Sequence, residues 1–387
     1  MWINEMKNHL TEDIIPFWKS LRDDEFGGYY GYCDDELNID KKADKGCILH
    51  SRILWFFSNA YTLLKDETLL DEANHAYNFI KEKCIDREYG GIYWTVSYDG
   101  KVVDDTKHTY NQAFCIYAMA SFYEVSKKKE ALDLSYELYD IIEQKCTDSV
   151  GFLEGFNRFF EPVPNDKLSE NGIIAEKTMN TLLHVFEAYT ELYRVTGDKN
   201  VAKRLYFIMD MFVEKIYNPI LKRQEVFFDK NLNTLIDLHS YGHDIESSWL
   251  CDRGFEVLKD KEYEEKVTAV TKELAKHIYK RAYVESSVLN ECEAGIDDTN
   301  RIWWVQAEAV IGFYNAYEKD PTQVAYLEAA KDVWEYIKKN VIHKECGEWH
   351  AKLNDKHEPV KGEPIVEPWK CPYHNGRMCI EIIRRNS

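Results

Sequence analysis

Basic residues are in short supply: 49 Lys and Arg stand against 68 Asp and Glu, a net charge of −19. Phosphate backbones and anionic lipid surfaces are bound by clustered Lys and Arg, so neither nucleic acid nor membrane is expected as a partner. Lys runs such as "KKK" at 127–129 fall between helical stretches and read as solvated turns. No segment approaches the roughly 20 unbroken apolar residues of a membrane-spanning helix. The opening "MWINEMKNHLTEDIIPFW" has no signal-peptide pattern. Ten cysteines are scattered without CxxC or zinc-type spacing, which predicts reduced thiols in a cytoplasmic protein. No Pro-, Gly- or Ser-rich linker breaks the chain, so residues 1–387 are expected to form one domain.

Rings, by contrast, are plentiful, with 26 Tyr and 10 Trp, and aromatics make up 14% of the chain. They serve either as packing between helices or as stacking faces for sugars. Helical periodicity dominates. "ETLLDEANHAYNFIKEKC" puts Leu69, Leu70, Ala73, Tyr77 and Ile80 on one stripe, and "TQVAYLEAAKDVWEYIKKN" repeats the pattern through Val324, Leu327, Ala330, Trp334 and Ile337. These one-sided helices alternate with a second type, apolar nearly all round, such as "LHSRILWFFSNAYTLL" and "IWWVQAEAVIGFYNAY". The alternation recurs every sixty to seventy residues or so, the mark of a repeated unit.

The count is twelve helices in six pairs. The buried-type members begin near Gly46, His108, Glu176, His239, Arg301 and Tyr373, and the helix near residues 2–21 partners the last of them. The predicted fold is all-α: an (α/α)6 barrel of two concentric rings around a central pit. Stretches such as "FGGYYGYCDDELNI", "YGGIYWTVSYDGKVV", "GFLEGFNRFFEPV", "EVFFDKNLNTLIDL" and "GEWHAKLNDKHEPV" precede inner helices and read as short β-hairpins at one mouth.

Polar residues interrupt the inner helices near their starts: His50 with Arg52, Tyr110 with Asn111, Asn180 with His184, His243 with Glu246 and Trp249, Trp304 with Glu308, and His374. Steps of three or four put Asn180 with His184, Trp304 with Glu308 and His243 with Glu246 each on one helix face. In a ring of parallel inner helices, all six groups share a depth and converge on one pocket. A single buried His is more often structural; six coincidences at matching height point to an active site. His243 and Glu246 could ligate a metal at i, i+3. The mixture with Arg, Asn and Trp suits sugar hydroxyls better, and no metal is expected.

"HSRILWFFSNAY", "KHTYNQAFCIYA", "TMNTLLHVFEAYTELY", "HSYGHDIESSWL", "RIWWVQAEAVIGFYNAY" and "EPWKCPYHNGRMC" resemble the cellobiose 2-epimerase family, within the N-acylglucosamine 2-epimerase superfamily, over essentially the whole chain. The resemblance implies an (α/α)6 barrel and a cofactor-free enzyme that inverts C2 of the reducing-end sugar of β-1,4-linked disaccharides. Cellobiose would become 4-O-β-glucosyl-mannose and lactose epilactose, and mannobiose-type sugars are expected as further substrates. It also implies an acid/base pair, His243 in "YGHDIE" and His374 in "CPYHNGRM". The supporting residues it implies are Arg52, Tyr110, Asn180, His184, Glu246, Trp304, Glu308 and Trp369.

C2 of an aldose loses its proton only when C1 is an open-chain aldehyde, and inversion requires a proton returned to the opposite face of an enediolate. Two imidazoles titrating near 6.5 suit that exchange. Arg52 is expected on the enediolate oxygens, and Glu246 on the His243 ring or a sugar hydroxyl. Trp369 and Trp304 are expected to supply stacking faces, and Glu308, Asn180, Tyr110 and His184 to hold hydroxyls. Trp249 is either a pocket wall or packing beneath it, and Trp303 competes with Trp304 for the sugar contact. The start of the last inner helix, with its positive dipole end, should keep His374 neutral. Rival readings are an aldose–ketose isomerase or N-acylglucosamine epimerase on the same scaffold. A glycoside hydrolase using Glu246 and Glu308 and a non-catalytic sugar binder are more distant rivals. The charged outer helices predict a monomer.

Overall fold

The computed structural model describes residues 2–165, 167 and 171–387. Among them lie twelve helices: α1 (2–20), α2 (Cys47–Leu64), α3 (67–84), α4 (Thr109–Ser126), α5 (Lys129–Lys145), α6 (Met179–Thr196), α7 (199–216), α8 (Tyr241–Leu258), α9 (Lys261–Arg281), α10 (Trp303–Lys319), α11 (324–341) and α12 (His374–Arg385). The even-numbered helices form the inner ring. Each packs on the next, α12 closes against α2, and α1 covers α12 from outside. The sixfold pairing expected from periodicity is the observed architecture, an (α/α)6 barrel, and the inner helices begin within three residues of the expected starts. No described helix is long and apolar enough to cross a membrane.

The reversals between inner and outer helices are built alike. Helices α2, α4, α6 and α8 end on a left-handed residue, Lys65, Lys127, Gly197 or Lys259, whose N–H returns to the carbonyl of Tyr61, Tyr123, Tyr193 or Phe255. After three of these corners an aspartate, Asp66, Asp198 or Asp260, accepts from N–H groups in the first turn of the outer helix.

At the opposite end, five inner helices are preceded by strands of two or three residues. Each pairs antiparallel with a strand on the approach to the next inner helix: Lys45–Gly46 with Thr95–Val96, Lys107–His108 with Gly155–Phe156, Lys177–Thr178 with Phe227–Phe228, Leu238–Ser240 with Glu291–Glu293, and Arg301–Ile302 with Lys352–Leu353. A bridge between Cys33 and Val366 closes the circle. The expected hairpins are present, but four are tighter than a paired ladder. Asp34, Asn157, Asp229 and Asn354 each accept from the N–H groups two and four residues on. Leu37, Phe160, Leu232 and His357 take left-handed φ in these turns. The side chain carries the turn, so little strand pairing is needed. Further hairpins at Tyr217–Gln224, Tyr283–Val288 and Glu291–Asp298 have no counterpart among the stretches expected from glycine and aromatic patterning.

A buried cation stands two residues before four inner helices and pairs with an acid from the preceding turn: Lys45 with Asp23 (2.6 Å), Lys107 with Asp86 (3.2 Å), Lys177 with Asp148 (2.7 Å) and Arg301 with Glu285 (3.4 Å). These pairs pin the mouth that positions the site.

His50 belongs to this scaffold. Its Nδ1 bonds the Gly46 carbonyl and its Nε2 accepts the Tyr29 N–H, both at 2.9 Å. Burial pushes its pKa down to about 3. The unfolded chain therefore takes up this proton near pH 6.5 while the folded one refuses it. Stability from this group is complete above pH 6.5 and falls by ~1.4 kcal/mol per pH unit as pH drops toward 3. Urea unfolding at pH 7 and pH 5 checks this: His50→Gln should show the shallower pH dependence, and an unchanged slope would contradict it.

Candidate active site

The inner helices start at the strand-ringed mouth, so their first turns line the pit. Helix α2 brings Arg52, α4 Tyr110, α6 Asn180 and His184, α8 His243 and Glu246, α10 Trp304 and Glu308, and α12 His374. Trp369 comes from the loop before α12. Asn111 stays out, donating to the Tyr93 carbonyl at 2.8 Å.

His374 leans on a carboxylate: its Nδ1 lies 2.7 Å from Glu308 Oε1. The other Glu308 oxygen accepts from Trp249 Nε1 at 2.9 Å. Below them sits Arg377, fully buried between the Tyr373 ring (4.3 Å) and the Trp249 ring (4.9 Å). It donates to Glu308 Oε1 at 2.7 Å and also to Glu187, Glu246 and the Tyr373 hydroxyl. One guanidinium thus faces three buried carboxylates. Burial, with the Glu308 charge behind it, pushes Glu246 up, and burial raises Glu308 too. Glu187 is also buried, yet Arg377, His184 and Tyr373 hold it down to about 2. His184 Nδ1 bonds Glu187 at 3.0 Å.

The structure narrows two expected roles, those of Trp249 and Glu246, and gives Glu308 a different partner. Trp249 is 1% exposed and lies under Glu308, so it is packing beneath the pit and no wall of it. Glu246 turns to Arg377; the partner of His243 Nδ1 is the Ser240 hydroxyl, at 2.7 Å. Glu308, expected on a sugar hydroxyl, holds the His374 ring. Arg377, Glu187 and Ser240 were absent from the residues expected on sequence grounds. Arg377 and Glu187 follow His374 and His184 at the same three-residue step that links His243 to Glu246.

The two imidazoles share a wall. Trp304 lies 4.8 Å from the His243 ring and 5.5 Å from the His374 ring, centroid to centroid. Trp303 instead is buried against the edge of His374 and under the Lys370 ammonium, which leaves Trp304 as the indole that faces the pit. Burial lowers His243 to about 3. His374 is also held well below 6.5, by burial and then by the Arg377 and Arg52 charges. Both rings are therefore neutral at pH 7, with burial the leading cause, and neither titrates near the 6.5 expected from an ordinary imidazole.

Arg52 is buried, with its guanidinium 4.3 Å from the Phe114 ring and 4.9 Å from the Tyr373 ring. It donates to Tyr110 Oη at 2.8 Å and to the Trp369 carbonyl at 3.2 Å. No carboxylate pairs with it among the described residues, and its Nε has no partner. Burial does not discharge it, because a guanidinium stays protonated throughout the neutral range. A buried, unneutralised cation is a standing site for negative charge on a ligand. Trp369, 5.5 Å from Trp94 and 5.7 Å from Tyr110, makes an aromatic rim beside it. Asn180 Oδ1 is buried without a partner.

Ligand atoms of Glu246, Glu308 and His374 lie within 4.8 Å of one another, a spacing that could hold a cation. Arg377 already supplies positive charge to both carboxylates, so the set is poorly suited to a metal.

Similarity to known proteins puts this closed helical barrel and its pit in the isomerase class, as a carbohydrate epimerase. The family model for N-acylglucosamine 2-epimerase matches residues 28–375. The chain is 50% identical to the cellobiose 2-epimerase of Ruminococcus albus over 100% of its own length and 99% of that protein's. It is 47% identical to that of Eubacterium cellulosolvens, over 97% and 96%. The structure of cellobiose 2-epimerase from Bacillus thermoamylovorans superposes with a TM-score of 0.96 at 44% identity, covering 99% of each chain. The protein belongs to the N-acylglucosamine 2-epimerase family.

Proposed function

We propose that this protein is a cellobiose 2-epimerase, interconverting cellobiose and 4-O-β-glucosyl-mannose, and lactose and epilactose, without a cofactor. The observation that carries the reading is the pair of imidazoles against one indole, beside a guanidinium that no carboxylate among the described residues neutralises.

In this reading the pyranose opens, and the C2 proton, acidified by the C1 aldehyde, passes to one imidazole Nε2. Arg52 stabilises the enediolate oxygens. The other imidazole protonates C2 on the opposite face. A neutral imidazole is a poor acid at carbon, and Glu308 answers this. Burial raises its pKa, and at 2.7 Å it can pass a proton to His374 Nδ1 as Nε2 gives one up. His374 then ends neutral and Glu308 ionised against Arg377. His243, having taken the first proton, ends as imidazolium, so charge balances. The reverse reaction runs the same transfers backward. Trp304 and Trp369 would stack on the sugar rings, with Tyr110, Asn180 and His184 near hydroxyls.

Residues 1–387 act as one catalytic domain in this reading, supported by the closure of α12 on α2 and α1. A monomer is proposed from the charged outer helices. A cytoplasmic setting is proposed from ten free cysteines, nine of them buried.

Proton NMR of cellobiose incubated with the pure protein tests the reading. Mannose-type anomeric signals should grow at the reducing end; fructose-type signals alone would favour an isomerase, and free glucose a hydrolase. Arg52→Met should keep the fold and lower kcat by about 10²–10³-fold, the loss typical of removing a donor to a developing oxyanion. A loss under about threefold would remove Arg52 from the chemistry.

A further inference from the structure

The two imidazoles are backed unequally. Glu308, a carboxylate with a second partner in Trp249 and a third in Arg377, holds His374. A single hydroxyl, Ser240 Oγ, holds His243. Ser240 ends the strand Leu238–Ser240, fixed by its pairing with Glu291–Glu293, and also stands at the start of α8. The strand register therefore sets where the hydroxyl sits, and the helix sets where the ring sits three residues on.

We propose that Ser240 is a positioning residue for this reaction: its hydroxyl accepts from His243 Nδ1–H and so presents Nε2 to the face of C2 that His243 serves. The inference rests on the two-imidazole reading of the site. A hydroxyl suits the task because it accepts from Nδ1–H in both the neutral ring and the imidazolium, so the ring need not turn as it changes charge. Unlike a carboxylic acid, a hydroxyl that accepts from Nδ1–H is too weak an acid to pass its own proton to the ring. His243 thus works as a simple base or acid, and His374 as one end of a relay. Ser240 is buried beside the ring; without its oxygen, the Nδ1–H tautomer loses its partner and the Nε2–H tautomer gains.

The test follows loss of deuterium from C2, with C2-deuterated cellobiose and C2-deuterated 4-O-β-glucosyl-mannose as separate substrates in H2O. In Ser240→Ala, washout from the epimer whose C2–D faces His243 should fall about 10–100-fold, the range for losing a residue that orients a functional histidine. Washout from the epimer facing His374 should change less than about threefold. Ser240→Thr, which keeps the hydroxyl, should restore both to within about threefold. Parallel loss from both epimers would mark a merely structural residue and overturn the proposal, as would Ser240→Ala behaving like the parent protein. Absence of washout from either epimer in the parent would instead overturn the two-imidazole reading itself.

Discussion

Replacing either His243 or His374 by Phe should lower turnover of cellobiose by about 10³-fold or more, with helical circular dichroism and melting nearly unchanged. Positioned proton transfer contributes typically 10²–10⁴-fold per group, and in a two-face reaction neither ring can stand in for the other. Phe fills the imidazole's space, so packing against Trp304 survives. The two variants should differ in one respect. His374→Phe leaves Glu308 with Trp249 and Arg377, so it keeps its other bonds. His243→Phe leaves Ser240 Oγ without its partner, a loss of roughly 1 kcal/mol. Steady-state kinetics with both epimers check the first point; activity within about tenfold of the parent in either variant would contradict it.

Arg377→Met should be the most destabilising substitution in the pit. It leaves Glu187, Glu246 and Glu308 buried without their common counter-charge, and breaking a buried ion pair from one side costs about 3–5 kcal/mol. Against that, Met fills much of the same volume, and protonation of the carboxylates softens the penalty. The charge should dominate, since Glu187 is otherwise held ionised down to about 2. Arg377→Lys should lose less, because an ammonium keeps the charge but not the fork that reaches several carboxylates at once. Thermal melts at pH 7 read this out, with a fall of roughly 5–15 °C for Met. A melt within about 2 °C of the parent would contradict the hub. Glu187→Gln combined with Arg377→Met should melt above the sum of the single losses, because the two sites touch.

The barrel was legible because its signal is repetitive. All-round apolar helices alternating with one-sided ones leave few closed arrangements, and starts such as Gly46 and His108 fell next to the observed Cys47 and Thr109. The mouth was less legible. Its turns depend on Asp34, Asn157, Asp229 and Asn354 bonding their own backbone, which looks like ordinary polar composition in a sequence. The Lys–Asp pairs such as Lys45 with Asp23 join residues whose spacing varies between repeats. Within the pit, helix faces correctly gathered Arg52, Tyr110, His184, Trp304 and His374 near one mouth. Partnerships were a different matter. Periodicity says that Glu246 and His243 share a face, but the choice between His243 and Arg377 as partner for Glu246 depends on which helix lies across the ring. Arg377 itself, near the chain end in "HNGRM", resembles the basic last turn of any helix until the ring closes around it.

The most direct measurement of whether two imidazoles work from opposite faces is the isotope at C2 of newly formed product. Cellobiose incubated with the protein in D2O, and stopped while only a small fraction has reacted, should yield 4-O-β-glucosyl-mannose carrying deuterium at C2 in nearly every molecule. Product that retains the original hydrogen at C2 would mean that a single base returned what it took, and would contradict His243 and His374 acting as a two-sided pair.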